Sequence, residues 1–295
     1  MGPMDERRVD EVASRLRAAG CVFAEDEAAL LLDAATVAAG EEMERARLDE
    51  PALERMVAER VAGRPLEAIL GWAEFAGLRV LVDDGVFVPR RRTEVLARAA
   101  ARGLRDGGVI VDLCCGTGAV GAALAESARR DGLAVTLVAS DLDPAAVANA
   151  RRNLESLGAT VVEGDLFGAL PAELRGGIDV LAVNAPYVPT AGISTMPPEA
   201  RDHEPLLALD GGSDGLDVHR RVAAGVAEWL APGGLVAIET SESQAEGTAA
   251  LLAAAGLEVS VVHDDDLDGT AVLGRRVGSV AAATAGPTPR GTGPR

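Results

Sequence analysis

Between Val109 and Arg276 short apolar runs alternate with longer stretches of helical spacing, and no other feature of the chain constrains its fold as much. Val109-Ile110-Val111, Ala134–Ser140, Thr160–Glu163, Asp179–Val183, Leu235–Glu239, Leu257–Val262 and Gly269–Arg276 read as strands. Ala119–Arg130, Pro144–Leu157, Leu216–Leu230 and Ala245–Ala255 read as the helices between them. Strands that return through helices lie parallel, and their helices cover both faces. The expected class is therefore α/β, a doubly wound and mostly parallel seven-stranded sheet. The last connection is too short for a crossover helix, so the final two strands should pair antiparallel.

Three further regions differ in texture. Residues 1–64 read as a small helical domain, with Val9, Val12, Leu16 and Ala28–Leu32 at helical spacing and a charged amphipathic stretch over Glu41–Val61. Residues 65–105 read as a hairpin and a connecting helix. Trp72–Phe75, Leu78–Val82 and Val86–Pro89 supply the apolar runs, with Asp83-Asp84-Gly85 as the expected turn, and a helix runs from Thr93-Glu94 to about Arg105. Asp106-Gly107-Gly108 breaks the chain and opens the α/β domain, 106–278. Residues 279–295 are rich in Ala, Gly, Pro and Thr and are expected to be disordered.

The net charge is −18, and only 2% of residues are aromatic. An acidic surface repels phosphate backbones, and base-stacking platforms need aromatics, so both facts weigh against a nucleic-acid substrate. A basic protein partner is drawn in more easily. Of the three cysteines, Cys114 and Cys115 are adjacent and Cys21 is alone, with no zinc-type spacing. No metal site is expected. A reducing cytoplasm fits this cysteine usage, and neither a signal peptide nor a stretch of membrane-spanning length stands out.

The first strand-to-helix turn reads Asp112-Leu113-Cys114-Cys115-Gly116-Thr117-Gly118. Glycines at such a turn let a ligand approach the backbone at a helix N-terminus. Gly116–Gly121 also fits G-x-G-x-x-G, a weak signal alone and a stronger one between a strand and a helix. The second strand ends at Asp141-Leu142, where an acidic residue accepts hydrogen bonds from ribose hydroxyls. Asp143 suits an N-cap before Pro144. Asp165-Leu166 follows the third strand and is placed for an adenine amine. These features bind a nucleoside, and NAD or S-adenosylmethionine would serve equally.

Two features separate these ligands. Asp112 precedes the glycine loop, where its carboxylate suits a cationic methionyl group. The fourth strand stops at Asn184-Ala185-Pro186-Tyr187, which holds the chain's one tyrosine. A short amide, a rigid turn and a flat ring in succession suit a planar nitrogen as methyl acceptor.

Here the chain resembles the protein-(glutamine-N5) methyltransferases of the HemK/PrmC type, class I S-adenosylmethionine enzymes with a Rossmann-like fold. Residues 70–78 resemble the family's segment before the catalytic domain. Phe87-Val88-Pro89-Arg90 through Thr93-Glu94 resembles I-P-R-P-E-T-E, and the glycine loop resembles D-x-G-x-G-x-G. Asn184–Tyr187 resembles N-P-P-Y, Glu204–Leu216 resembles E-P-x-x-A-L-x-G-G-x-D-G-L, and Val272–Arg275 resembles the closing strand. The resemblance covers residues 64 to 277. It departs at Cys114, where the family has glycine, at Arg91-Arg92 for Pro-Glu, and at Ala185 for proline. These departures suggest a related branch rather than the housekeeping release-factor enzyme.

The resemblance implies transfer of a methyl group from S-adenosylmethionine to a glutamine side-chain amide of a protein, a release factor being one candidate. It implies cofactor contacts at Asp112, Cys114, Cys115, Gly116, Thr117, Gly118, Asp141, Leu142, Asp165, Leu166 and Asn184. It implies a substrate groove at Phe87, Pro89, Arg90, Asn184, Tyr187 and Glu204. In the family's geometry the Asn184 oxygen and the carbonyl of Ala185 accept the two amide N–H groups, Pro186 stiffens the turn, and Tyr187 packs on the amide plane. With Ala185 for proline, Tyr187 is expected in a looser pocket. An adenine-N6 methyltransferase shares Asn-x-Pro-Tyr and is the first rival; a non-catalytic nucleoside-binding module is the second.

Overall fold

A helical cluster begins the computed structural model, which describes residues 3–38 and 46–277. The tail over 279–295 and the start of the Glu41–Val61 stretch lie outside the described residues. The cluster contains α1 (Pro3–Ala18), α2 (Ala24–Ala34), a ribbon of β1 (Thr36–Ala38) and β2 (Ala46–Leu48), then α3 (Glu50–Val61). The last helix starts later than its amphipathic pattern suggests. Asp49 stops the strand and caps the helix, its carboxylate accepting from Ala52 N at 3.1 Å, with a proline in the first turn. Val12, Leu16, Leu31, Leu53 and Val57 form the core of the cluster. Within it a buried Arg60 donates to both carboxylate oxygens of Glu27, at 2.6 and 3.1 Å.

After α4 (Leu66–Leu70) comes a hairpin of β3 (Trp72–Phe75) and β4 (Leu78–Leu81). Its turn is Ala76-Gly77, not Asp83-Asp84-Gly85. A two-residue hairpin loop of type I′ needs positive φ at both positions, and Ala76 (52°) and Gly77 (77°) supply it. Alanine in the place usual for asparagine hid the turn from the sequence. Val86–Pro89 forms no strand among the described residues. A one-turn helix over Arg91–Thr93 leads to α5 (Glu94–Ala100).

The main sheet comprises β5 (Gly108–Leu113), β6 (Val135–Asp141), β7 (Thr160–Glu163), β8 (Ile178–Val183), β9 (Leu230–Thr240), β10 (Glu258–Asp264) and β11 (Gly269–Arg275). Its order is β10-β11-β9-β8-β5-β6-β7. The pairs β5·β6, β5·β8, β6·β7 and β8·β9 are parallel. The strand β11 pairs antiparallel with both β10 and β9. Helices α6 (Ala119–Arg130), α7 (Pro144–Leu154), α8 (Pro198–His203), α9 (Leu206–Leu209), α10 (Asp217–Trp229) and α11 (Ala245–Ala254) complete the chain. Alternate residues of the strands feed two cores. Ile110, Leu124, Leu137 and Val180 pack on one face; Val111, Leu181, Val226 and Ile238 pack on the other. No described helix is long and apolar enough to cross a membrane.

Two asparagines of α7 tie the hairpin to this sheet. Asn149 and Asn153 each donate to Leu81 O, at 3.0 and 2.9 Å, and accept from Asp83 N and Leu81 N. The open edge of β4 is thereby satisfied by side chains rather than by another strand. Asn153 also donates to Thr117 O at 2.9 Å and so reaches the glycine loop.

His219 on α10 is fully buried, with Nδ1 2.9 Å from the Thr248 hydroxyl and Nε2 without a partner. Burial pulls its pKa down to about 4. The unfolded chain therefore binds a proton that the folded chain refuses, over the interval from about 6.5 down to about 4. Stability from this group is complete above that interval and declines as pH falls through it, by roughly 3 kcal/mol in all. A His219→Gln variant is expected to flatten that limb of a denaturation-against-pH curve.

Candidate active site

The sheet order reverses direction between β5 and β8, and in such sheets ligands bind outside the carboxyl ends of the strands at that point. Asp112 lies near the end of β5 and Asn184 directly follows β8, so both reach one cavity there. Phe87, Pro89, Arg90, Asp112, Cys114, Cys115, Gly116, Thr117, Asp141, Leu142, Asp165 and Leu166 line it. Asn184, Ala185, Pro186, Tyr187 and Glu204 line it as well. Gly118 does not. It sits behind the loop as the N-cap of α6, with φ 79°, and a Cβ there would lie 2.9 Å from Leu154 Cδ1. Its role is to let α7 approach.

Asp112 is buried, with 1% of its surface exposed. Its Oδ2 accepts from Gly121 N at 2.8 Å and satisfies a free amide in the first turn of α6. Burial, with Asp141 as a second negative charge nearby, raises its pKa to about 8. Asp141 braces two loops. Its Oδ2 accepts from Gly116 N at 2.8 Å and its Oδ1 from Asp143 N at 2.9 Å. Asp143 itself caps α7, accepting from Ala145 N at 2.8 Å. Asp165 has another partner besides any ligand: Arg221 Nη2 of α10 lies 2.6 Å from its Oδ2. Burial raises the thiol pKa values of Cys114 and Cys115, which suits packing rather than nucleophilic chemistry.

On the other side of the cavity Glu204 is buried to 93%. Its Oε1 accepts from Arg90 and from Val88 N at 3.4 Å, whereas its Oε2 is buried without a partner. Arg90 lies over the Phe87 ring, 5.4 Å from its centroid. The segment after the hairpin is thus fastened to the residue that follows α8. Among the described residues no group of His, Cys, Asp and Glu has the arrangement of a metal site.

Residues 110–199 match the family described as "Methyltransferase domain". A release factor glutamine methyltransferase of Geobacter sulfurreducens is 38% identical over 191 residues, 64% of this chain and 65% of that protein. The match therefore spans just under two thirds of that relative's length. Another, from Bradyrhizobium diazoefficiens, is 36% identical over 244 residues, 79% of this chain and 81% of that protein. The chain belongs to the release factor glutamine methyltransferase family. Its relatives also include a 4-amino-L-phenylalanine/4-methylamino-L-phenylalanine methyltransferase of Streptomyces pristinaespiralis, 37% identical over 195 residues, 64% of this chain and 65% of that one.

The departures from the family pattern have visible structural terms. Cys114 stands at the first loop glycine and keeps a left-handed backbone, φ 56°. Leu166, on the far side of the cavity, does the same at 48°. Each non-glycine residue in this region stores strain of about 1 kcal/mol or more. Arg92, in place of the family's glutamate, faces Glu239 on β9, with Nε 3.6 Å from Oε1.

The stretch resembling A-L-x-G-G-x-D-G-L acts as a buttress for Tyr187, a role its sequence does not announce. Val188 N donates to Leu209 O at 3.0 Å, and Gly211 N donates to Val188 O at 2.9 Å. A Cβ on Gly211 would lie 2.8 Å from Tyr187 Cα, and one on Gly215 would overlap the Tyr187 carbonyl oxygen. Gln244 Nε2 donates to that same oxygen at 2.9 Å. At the other end, the Tyr187 hydroxyl donates to Glu239 Oε1 at 3.1 Å. Tyr187 is therefore held at its backbone and at its ring tip, despite the alanine at position 185. Arg221 and Gln244 escape sequence reasoning, and Arg92 and Glu239 can be placed near the groove by sequence but not joined to each other, because each acts through a partner on a distant element.

Proposed function

We propose that the protein transfers a methyl group from S-adenosylmethionine to the side-chain amide nitrogen of a glutamine in a protein, with a peptide chain release factor as the partner. The observation that carries this reading is that Asn184–Tyr187 and the Asp112–Asp141 loops open into one cavity. Family membership supports the reaction.

The residues present fit the cofactor. Asp112 is a buried carboxyl group with a backbone donor but, among the described residues, no cation paired to it, beside a second carboxyl group, and this deficit suits a cationic ligand. Gly116 has nothing within 4 Å of an added Cβ, so the loop's cavity side is open. Asp112, Gly116 and Asp141 would hold it, with Asp165 and Leu166 at the adenine end. When bound, S-adenosylmethionine supplies an activated methyl group.

The protein's task is orientation. An amide nitrogen is a weak nucleophile because its lone pair is shared with the carbonyl. The Asn184 oxygen and the Ala185 carbonyl would accept its two N–H bonds and aim the lone pair, while Tyr187 packs on the amide plane. Ala185 precedes proline, which biases it to an extended backbone and keeps that carbonyl directed. Rate then comes from near-attack placement. The Arg90 guanidinium, held in place by Glu204, would meet polar groups flanking the glutamine.

Cofactor binding is expected to release a proton. With its pKa at about 8, Asp112 keeps its proton at neutral pH in the free protein. A cationic ligand selects the carboxylate, so affinity should rise about tenfold per pH unit up to about 8 and then level off. Calorimetry in buffers of differing ionisation enthalpy reads the released proton, and Asp112→Asn should remove it.

The reaction is tested with purified protein, labelled S-adenosylmethionine and separate acceptors: a release factor, double-stranded DNA, transfer RNA and 4-aminophenylalanine. Label on a release-factor glutamine, located by mass spectrometry, is the expected result. Label on nucleic acid or on the aromatic amine alone would move the acceptor to another planar nitrogen, and binding without any transfer would leave a nucleoside-binding module.

A further inference from the structure

The floor behind the acceptor cavity contains a charged pair that the reaction itself does not require. Glu239 sits near the end of β9 with 3% of its surface exposed. Its Oε1 accepts from the Tyr187 hydroxyl at 3.1 Å, and Arg92 Nε lies 3.6 Å from the same oxygen. Its Oε2 is buried without a partner. A half-satisfied buried carboxylate is a poor stabiliser, and an apolar residue of similar size would pack there at less cost. The arrangement makes physical sense if the carboxylate is kept for the group it holds, the one tyrosine of the chain. Arg92 lines the cavity wall and Tyr187 lines the cavity itself, so Glu239 joins two faces of the same site from beneath. A glutamate at position 92, as in the family pattern, would set two carboxylates against each other here. The arginine reverses that sign.

We propose that Glu239 and Arg92 are positioning residues that clasp the Tyr187 hydroxyl and fix the ring against which the acceptor amide lies. The functional half of this inference rests on the reaction proposed above; the clasp itself does not. An unclasped ring regains side-chain freedom and no longer presents one face to the acceptor. Among the described residues no hydrogen bond or ion pair joins Asp112, Asp141 or Asp165 to the clasp, so its loss should lower turnover without changing cofactor affinity.

Because Tyr187 is the only tyrosine, growth on 3-fluorotyrosine places a single fluorine probe at this ring. Its NMR shift against pH reports ionisation of that phenol alone, with no acceptor present. The charged groups facing the hydroxyl are Glu239 from β9 and Arg92 from the turn before α5, with Asp268 beyond Arg92. Burial and the Glu239 charge together hold the phenol well above its ordinary range, and Arg92 opposes them. Glu239→Gln should therefore lower the midpoint and Arg92→Ala should raise it. Unmoved midpoints in both variants would overturn the clasp.

Kinetics supply the second readout. Glu239→Ala should lower kcat about tenfold with cofactor Kd unchanged, as for loss of one hydrogen bond to a charged group. Glu239→Gln keeps an acceptor for the hydroxyl and should recover most of this loss. Adding Glu239→Ala to Tyr187→Phe should cost nothing further. Independent, multiplying losses would assign Glu239 a structural role elsewhere and reject it as a positioning residue. If the fluorine midpoints shift as expected but no acceptor is methylated, the clasp stands and the proposed reaction fails.

Discussion

Replacing Asn184 with alanine is expected to lower methyl transfer by about 100-fold or more while leaving S-adenosylmethionine affinity within about threefold. The asymmetry follows from position. Asn184 follows the central strand β8 and faces the cavity, but the loops suited to the cofactor are organised elsewhere. Asp141 braces Gly116, and Asp112 braces Gly121, through hydrogen bonds in which Asn184 has no part. Removal of the side-chain amide leaves those bonds intact and, in the proposed reaction, deprives the acceptor of one of its two directing groups. The amide then rotates in the site, and the near-attack arrangement that supplies the rate is lost. Single-turnover rates with a saturating methyl donor, set beside calorimetric Kd values, measure the two quantities separately. A variant that transfers methyl groups at the parent rate would remove Asn184 from the site. Asp141→Ala provides the opposite pattern: it should weaken cofactor binding first, because the brace on the glycine loop is lost together with the carboxylate proposed to meet the ribose.

Much of this site is written locally. Strand ends followed by Asp112, Asp141, Asp165 and Asn184 can be read from apolar runs that stop at polar residues, and the doubly wound order then brings those ends together. What could not be read depends on contacts between distant segments or on unusual backbone. The hairpin turn was hidden because Ala76 adopts a conformation that sequence reasoning assigns to asparagine or glycine. Gly118 read as a ligand contact because glycine in a loop gives no sign of whether its open side faces a cavity or a helix; here it faces Leu154. Asp165 read only as a contact for an adenine amine, whereas Arg221, 56 residues away, is also paired with it. The expectation of a loose tyrosine pocket followed from Ala185 alone, and it took no account of Glu239 at one end and Gly215 at the other.

Gly215→Ala should be as damaging as loss of Asn184, although Gly215 is not among the residues that line the cavity. Two costs combine. Its φ of 77° lies in the left-handed region, which costs alanine about 1 kcal/mol. The added Cβ also overlaps the Tyr187 carbonyl oxygen and the Gln244 side-chain amide. A backbone oxygen cannot rotate away as a flexible side chain would, so either the 211–215 loop or the Tyr187 backbone must move. In either case the hydrogen bonds from Gln244 to Tyr187 O and Asp214 O, both 2.9 Å, are strained or broken. Displacing the acceptor platform by about 1 Å is enough for a roughly 100-fold loss of turnover. Gly233→Ala provides the control. Its φ of 82° imposes the same backbone cost, but nothing lies within 4 Å of its added Cβ. Both variants should melt below the parent protein, and only Gly215→Ala should lose methyl transfer. Equal activity in the two variants would show that backbone strain alone accounts for the effect, and would leave the glycine-rich buttress without a role in holding Tyr187.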